Sequence, residues 1–166
     1  TYAWTLLSGP SVTLSSATAT TPSFTAPAKT NAAQVMTFEL VANDGFTTDS
    51  DTVAITVAAN LAPTANAGPD QTIASGAAGA SLSSAGSSDP DGDPLTYSWV
   101  QTSGPVVVLS NASGPNPTFS APPVTAGPQV VSFTLTVGDG LTTGTDSVDI
   151  TFPANTPPTA NAGPDT

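Results

Sequence analysis

Cysteine, histidine and arginine are absent from this chain, and lysine and glutamate occur once each, as Lys29 and Glu39. Without cysteine there are no disulfides and no thiol chemistry, and the redox compartment cannot be read from cysteine usage. Without histidine the usual general base is missing, and no Cys/His zinc site can be built. Oxygen-ligated Ca²⁺ or Mg²⁺ stays open. Twelve acids face a single base, for a net charge of −11. That balance argues against nucleic acid, which needs basic residues to neutralise phosphates, and against anionic membrane surfaces. No apolar run approaches a membrane span, no stretch has the makeup of a secretory signal, and direct membrane insertion is not expected. A glycosidase needs only two carboxylates, but the aspartates cluster in turn-like segments and Glu39 has no second glutamate. The chain is therefore expected not to be an enzyme.

What is abundant is turn and strand material. Seventeen prolines and fourteen glycines punctuate Thr-, Ser-, Ala- and Val-rich stretches, and no segment predicts a helix. The chain also repeats itself. Thr1-Tyr2-Ala3-Trp4 matches Thr96-Tyr97-Ser98-Trp99 at an offset of 95 residues. The same offset carries Ser8-Gly9-Pro10 onto Ser103-Gly104-Pro105, Asp44-Gly45 onto Asp139-Gly140, and Pro63–Asp70 (PTANAGPD) onto Pro158–Asp165. No gap is needed, and more than half of the paired positions are identical. The expected organisation is a partial repeat over residues 1–62 lacking its N-terminal third, a complete repeat over 63–157, and the start of another over 158–166.

Within the complete repeat, Val131, Phe133, Leu135 and Val137 alternate with small polar residues, then Val148, Ile150 and Phe152 alternate after a Gly-Asp-Gly turn. Period two of this kind predicts a hairpin with one buried face. Met36, Phe38, Leu40 and Ala42, then Val53, Ile55 and Val57, predict its counterpart in the first repeat. Further strands are expected near 71–74, 80–84, 95–101, 106–109 and 116–120. About seven short strands per 95-residue repeat predict an all-β, Ig-like sandwich. Tyr97 and Trp99 share one strand face and are expected in the core.

The stretch Ser87–Trp99 (SSDPDGDPLTYSW) opens with Asp89, Asp91 and Asp93 alternating with Pro90, Gly92 and Pro94. Three carboxylates at i, i+2 and i+4 in a turn can aim their oxygens at one hard cation. The competing reading is a solvated acidic turn. The glycine spacing excludes an EF-hand loop, since Gly92 is fourth rather than sixth.

Taken together, AGPDQTI (67–73), SSDPDGDPLTYSW (87–99), NPTFSAP (116–122) and VSFTLTVGDG (131–140) resemble tandem PKD-type (polycystic kidney disease) domains of bacterial surface proteins. The resemblance implies tandem Ig-like β-sandwiches acting as non-catalytic extracellular modules that space, stiffen or present their neighbours. It also implies a structural Ca²⁺, with Asp89, Asp91 and Asp93 as foremost ligands. Asp139 could reach the same end, and Asn66 and Asp70, recurring as Asn161 and Asp165, are weaker candidates; a turn-forming role is at least as good an account of Asp139, Asn66 and Asp70. Asn111-Ala112-Ser113 is a glycosylation sequon by pattern. The leading expectation is a calcium-stiffened stalk, adhesin shaft or filament at a bacterial cell surface. Its partners would be neighbouring repeats of the same chain or identical subunits, with surface glycans or cell-surface proteins as external contacts. The alternative is a carbohydrate-binding accessory module of a secreted polysaccharide hydrolase, which exposed rows of aromatics would favour.

Overall fold

The alternation of VSFTLTV becomes a long strand with one dry face. In a computed structural model describing residues 1–74, 76–123 and 125–163, Val131, Phe133, Leu135 and Val137 are fully buried. The serine and threonines between them stay partly exposed. All regular structure among the described residues is β: β1 (Tyr2–Ser8), β2 (Gln34–Asn43), β3 (Thr48–Val57), β4 (Gln71–Thr72), β5 (Gly79–Ser81), β6 (Thr96–Ser103), β7 (Thr118–Ser120), β8 (Gln129–Gly138) and β9 (Thr143–Phe152). Among the described residues no helix is long and apolar enough to cross a membrane. The chain divides into two compact units, Thr1–Leu61 and Ala62–Thr166.

In the second unit, one sheet has the order β4-β9-β8-β6 and a second pairs β5 with β7. β8 and β9 form the antiparallel hairpin, placing Phe133 opposite Val148 and Val131 opposite Ile150. β6 lies along the other edge of β8, with Trp99 opposite Leu135. The core gathers these residues with Ala67, Leu82, Phe119 and Phe152. Each large apolar side chain buried there contributes about 1.5–3 kcal/mol by leaving water. The Phe119 ring lies 5.1 Å from that of Phe133, tilted as aromatic quadrupoles prefer.

The first unit is one sheet, β1-β2-β3. Shifted by 95 residues, the bounds of β2 and β3 coincide with those of β8 and β9. Trp4 faces Leu40 as Trp99 faces Leu135, and both first strands bulge just before the serine, Ser8 or Ser103. The Phe24–Phe38 pair, 5.4 Å apart, repeats Phe119–Phe133. The surroundings differ. Val148 and Ile150 are 1% and 0% exposed, but Val53 and Ile55 are 43% and 38% exposed.

One expected strand is absent. Val106–Leu109 forms none, so among its described residues the second unit has six strands, β4 to β9, rather than about seven. The segment still alternates: Val107 and Leu109 pack on the core while Val106 and Val108 face water. Its backbone partners come from a side chain instead of a neighbouring strand. Gln101 Oε1 accepts from Val107 N at 3.0 Å, and its Nε2 donates to the Pro105 carbonyl at 2.7 Å. The β5–β7 ladder is shorter than expected for a related reason. Leu82 N and Ser84 N donate to the carbonyls of Pro117 and Pro115, which have no N–H to return.

Candidate metal centre

The acidic stretch Asp89–Asp93 folds as a tight turn. Gly92 N donates to the Asp89 carbonyl at 3.2 Å, and Gly92 takes φ +78°, a conformation that favours glycine. Inside the turn, Asp89 Oδ1 accepts from the backbone N–H groups of Asp91 at 2.8 Å and Asp93 at 3.1 Å. These bonds curl the backbone so that the three carboxylates converge. One oxygen from each of Asp89, Asp91 and Asp93 lies within 4.8 Å of the others. Ca²⁺ holds oxygens at about 2.3–2.6 Å, so ligands on opposite sides of one ion stand about 5 Å apart. The cluster has the right span.

The environment adds a second observation. Asp89 and Asp93 are half-buried and Asp91 is exposed. Asp89 Oδ2 is withdrawn from solvent and has no hydrogen-bond partner among the described residues. A buried carboxylate oxygen without a donor is costly, and a cation is one group that would satisfy it. Repulsion adds to the cost: two carboxylate charges this close repel by about 1 kcal/mol even in water-like surroundings. The donor set therefore fits a hard divalent cation.

The loop is tied to the point where the chain enters the second unit. Thr64 and Ser88 exchange backbone hydrogen bonds, at 2.8 Å and 3.0 Å, one residue before Asp89. Asn66 N donates to Ser87 Oγ at 2.9 Å. The entry segment then crosses β9. Ala67 N donates to Asp146 Oδ2 at 2.7 Å, and Asp149 N donates to Asp70 Oδ1 at 2.9 Å. β4 follows, parallel to β9.

The remaining sequence candidates hold turns or strand contacts. Asp139 accepts from Leu141 N at 2.7 Å and Thr142 N at 2.6 Å, closing the β8–β9 hairpin. Asn66 Oδ1 accepts from Gly68 N at 2.8 Å. Asp70 is engaged with β9 as described. Asn161 repeats the Asn66 turn, accepting from Gly163 N at 2.8 Å, and Asp165 lies outside the described residues. Asn111 sits in an exposed turn closed by Gly114 N donating to its carbonyl at 3.0 Å. The residue that sequence reading missed is Asp146, which anchors the entry segment. Its signal was present, since Asp51 and Asp146 are identical under the offset of 95.

Trp99, Phe119, Phe133 and Phe152 are buried and Tyr97 packs partly against them. The core strands, the acidic turn and the hairpin turn all fall within residues 67–152, which match the family model described as K319L-like, PKD domain. The chain belongs to this family. PKD domains are typically extracellular, non-catalytic modules. No curated protein matches the sequence significantly. Among solved structures, the PKD domain of the KIAA 1837 protein is 28% identical, with TM-score 0.48, covering 63% of this chain and 100% of that one. A PKD domain of human KIAA0319 is 20% identical, with TM-score 0.46, covering 60% of this chain and 88% of that one. A nucleoside hydrolase-related hypothetical protein from Saccharophagus degradans, associated with carbohydrate metabolism, is 28% identical, with TM-score 0.48. That similarity covers 57% of this chain, which spans only 26% of the Saccharophagus protein.

Proposed function

We propose that this chain is a non-catalytic structural piece of an extracellular stalk, adhesin shaft or surface filament, in which the Asp89–Asp93 turn binds one structural Ca²⁺. The observation that carries the reading is the convergence of three carboxylates on a loop whose Asp89 Oδ2 is buried and unpartnered. Asp89 shapes the loop and offers that oxygen, while Asp91 and Asp93 complete a hard, oxygen-only donor set. Because Ser88 is bridged to Thr64, a cation that stiffens the turn also stiffens the chain's entry into the PKD unit. Neighbouring repeats or identical subunits are the partners this role implies. The carbohydrate-binding alternative lacks support in the PKD unit, because its aromatic residues serve the core.

Thermal unfolding of the full chain in Ca²⁺ and in EDTA tests the proposal. A site that binds only the folded form stabilises by about 2.7 kcal/mol at a hundredfold excess over its Kd. The transition of the second unit is therefore expected to rise in Ca²⁺, and Asp91→Asn is expected to remove the rise while lifting the EDTA melt slightly, because it relieves carboxylate repulsion in the empty turn. Asp91 is the residue to change, because Asp89 also holds the turn together. Superimposable melts would reduce the cluster to a solvated turn.

A further inference from the structure

We propose that the Asp89–Pro90 peptide bond is a self-cleavage site, at which the Asp89 carboxylate attacks its own main-chain carbonyl and expels the Pro90 nitrogen. The bond is consumed once and there is no turnover, so the reaction sits beside the structural role above. Only its suppression by calcium rests on that reading.

The acidic turn contains two Asp-Pro pairs, Asp89-Pro90 and Asp93-Pro94, and the chain has no others. In such a pair the side-chain oxygen reaches the carbonyl carbon of its own residue by closing a five-membered ring. Attack within one residue avoids the entropy cost of bringing in a second molecule. Proline supplies the leaving group, because its nitrogen is a tertiary amide and departs as a basic secondary amine.

The surroundings single out Asp89. Its Oδ1 accepts from the amides of Asp91 and Asp93, which fixes the carboxylate inside the turn. Its Oδ2 is withdrawn from solvent and has no hydrogen-bond partner among the described residues. A carboxylate oxygen stripped of its hydration shell is the stronger nucleophile. The carbonyl it attacks accepts from Gly92 N at 3.2 Å. That donor stands where negative charge gathers as the carbonyl is attacked. Pro90 is exposed, so water can bring the proton its nitrogen needs on leaving.

The steps balance. Oδ2 bonds to the Asp89 carbonyl carbon, and the displaced electron pair moves onto the carbonyl oxygen facing Gly92 N. The pair returns, the bond from that carbon to the Pro90 nitrogen breaks, and the nitrogen takes a proton from solvent. The cyclic anhydride left on Asp89 adds one water and opens to a main-chain and a side-chain carboxyl group. One water is consumed and one peptide bond is lost, with no oxidant, reductant or second substrate.

A cut here leaves the unit assembled. β4 and β5 precede it and β7 and β9 follow it, so the β4–β9 and β5–β7 pairings both span the break. A covalent link becomes one held by strand pairing alone. Calcium guards the bond, because an ion held by Oδ2 occupies the attacking oxygen.

Intact-mass measurement of the full chain tests this, after incubation in weakly acidic buffer containing EDTA, with and without concentrated urea. In the folded chain, fragments ending at Asp89 and beginning at Pro90 are expected roughly tenfold or more faster than those from Asp93–Pro94. In urea the two bonds are expected to break slowly and at similar rates. Pro90→Ala keeps Asp89 and its hydrogen bonds, and is expected to abolish the first cut while the slow second one persists. A folded chain that stays whole, that breaks both bonds equally, or that keeps the first cut as Pro90→Ala overturns the proposal. Added Ca²⁺ is expected to slow the first cut; selective cleavage that ignores Ca²⁺ leaves the self-cleavage standing and counts against the calcium reading alone.

Discussion

Single side chains decide how closely the backbone can pack on this sheet. Gly144 is the second residue of β9, paired with Val137 across the hairpin, and glycine within a strand is ordinarily a weakness. Its value is the absence of a Cβ beneath the Pro63 carbonyl and the Ala65 amide, 2.3 Å and 3.2 Å from where that atom would sit. Gly144→Ala is accordingly expected to destabilise the second unit by roughly 1–3 kcal/mol, the usual penalty for overpacking. Chemical denaturation of the full chain would measure the loss, and an unchanged midpoint for that unit would mean that the entry segment yields freely. No local pattern in the sequence marks Gly144, since the close approach involves partners some eighty positions earlier. The alternating Asp89, Asp91 and Asp93 were legible because a local spacing brings them together, and they converge within 4.8 Å. The buried Asp89 Oδ2 was not legible, because burial comes from the packing around a loop and not from its composition.

The hairpins were the most readable elements, and the loop at 106–109 the least. Strict alternation marked β8 and β9 because one face meets the core and the other meets water. The same alternation at Val106–Leu109 misled, because a side chain from Gln101 can satisfy the backbone there without a strand. The hairpin turns are held by carboxylates in both units. In the β2–β3 turn, Asp44 Oδ1 accepts from Phe46 N and Thr47 N, each at 2.8 Å. The Thr47 bond, then the Phe46 bond, hold the Asp44 pKa below its ordinary value of 3.8. A depressed folded-state pKa means that the stabilisation is complete above the unfolded value and fades as pH falls through the folded one. The Phe46 and Thr47 amide resonances are therefore expected to shift with a midpoint below pH 3.8. Asp44→Asn keeps an accepting oxygen and should flatten that titration. A midpoint at or above the ordinary value would show that the two bonds do not favour the ionised form.

At the scale of the whole molecule, the 95-residue period was visible before any coordinate and recurs in strand bounds and register. The same period marked residues 1–62 as matching only the later part of the repeat, in keeping with β9 being flanked by β4 and β8 while β3 is the outer strand of its sheet. The parallel pairing of β4 with β9 carries a further consequence. β4 lies near the start of the PKD unit and β9 near its end, so tension along the chain pulls the two strands past each other lengthwise. Bonds loaded in shear resist together, whereas a hairpin pulled at its open end gives way one bond at a time. The Ala67–Asp146 and Asp70–Asp149 bonds lie across the same seam and share that load. In single-molecule pulling, Asp146→Ala is expected to lower the rupture force of the second unit by more than its loss of equilibrium stability would suggest. A rupture force that tracked stability alone would locate the resistance elsewhere. Where the first and last strands of a domain run side by side and parallel, end-to-end tension meets their bonds all at once.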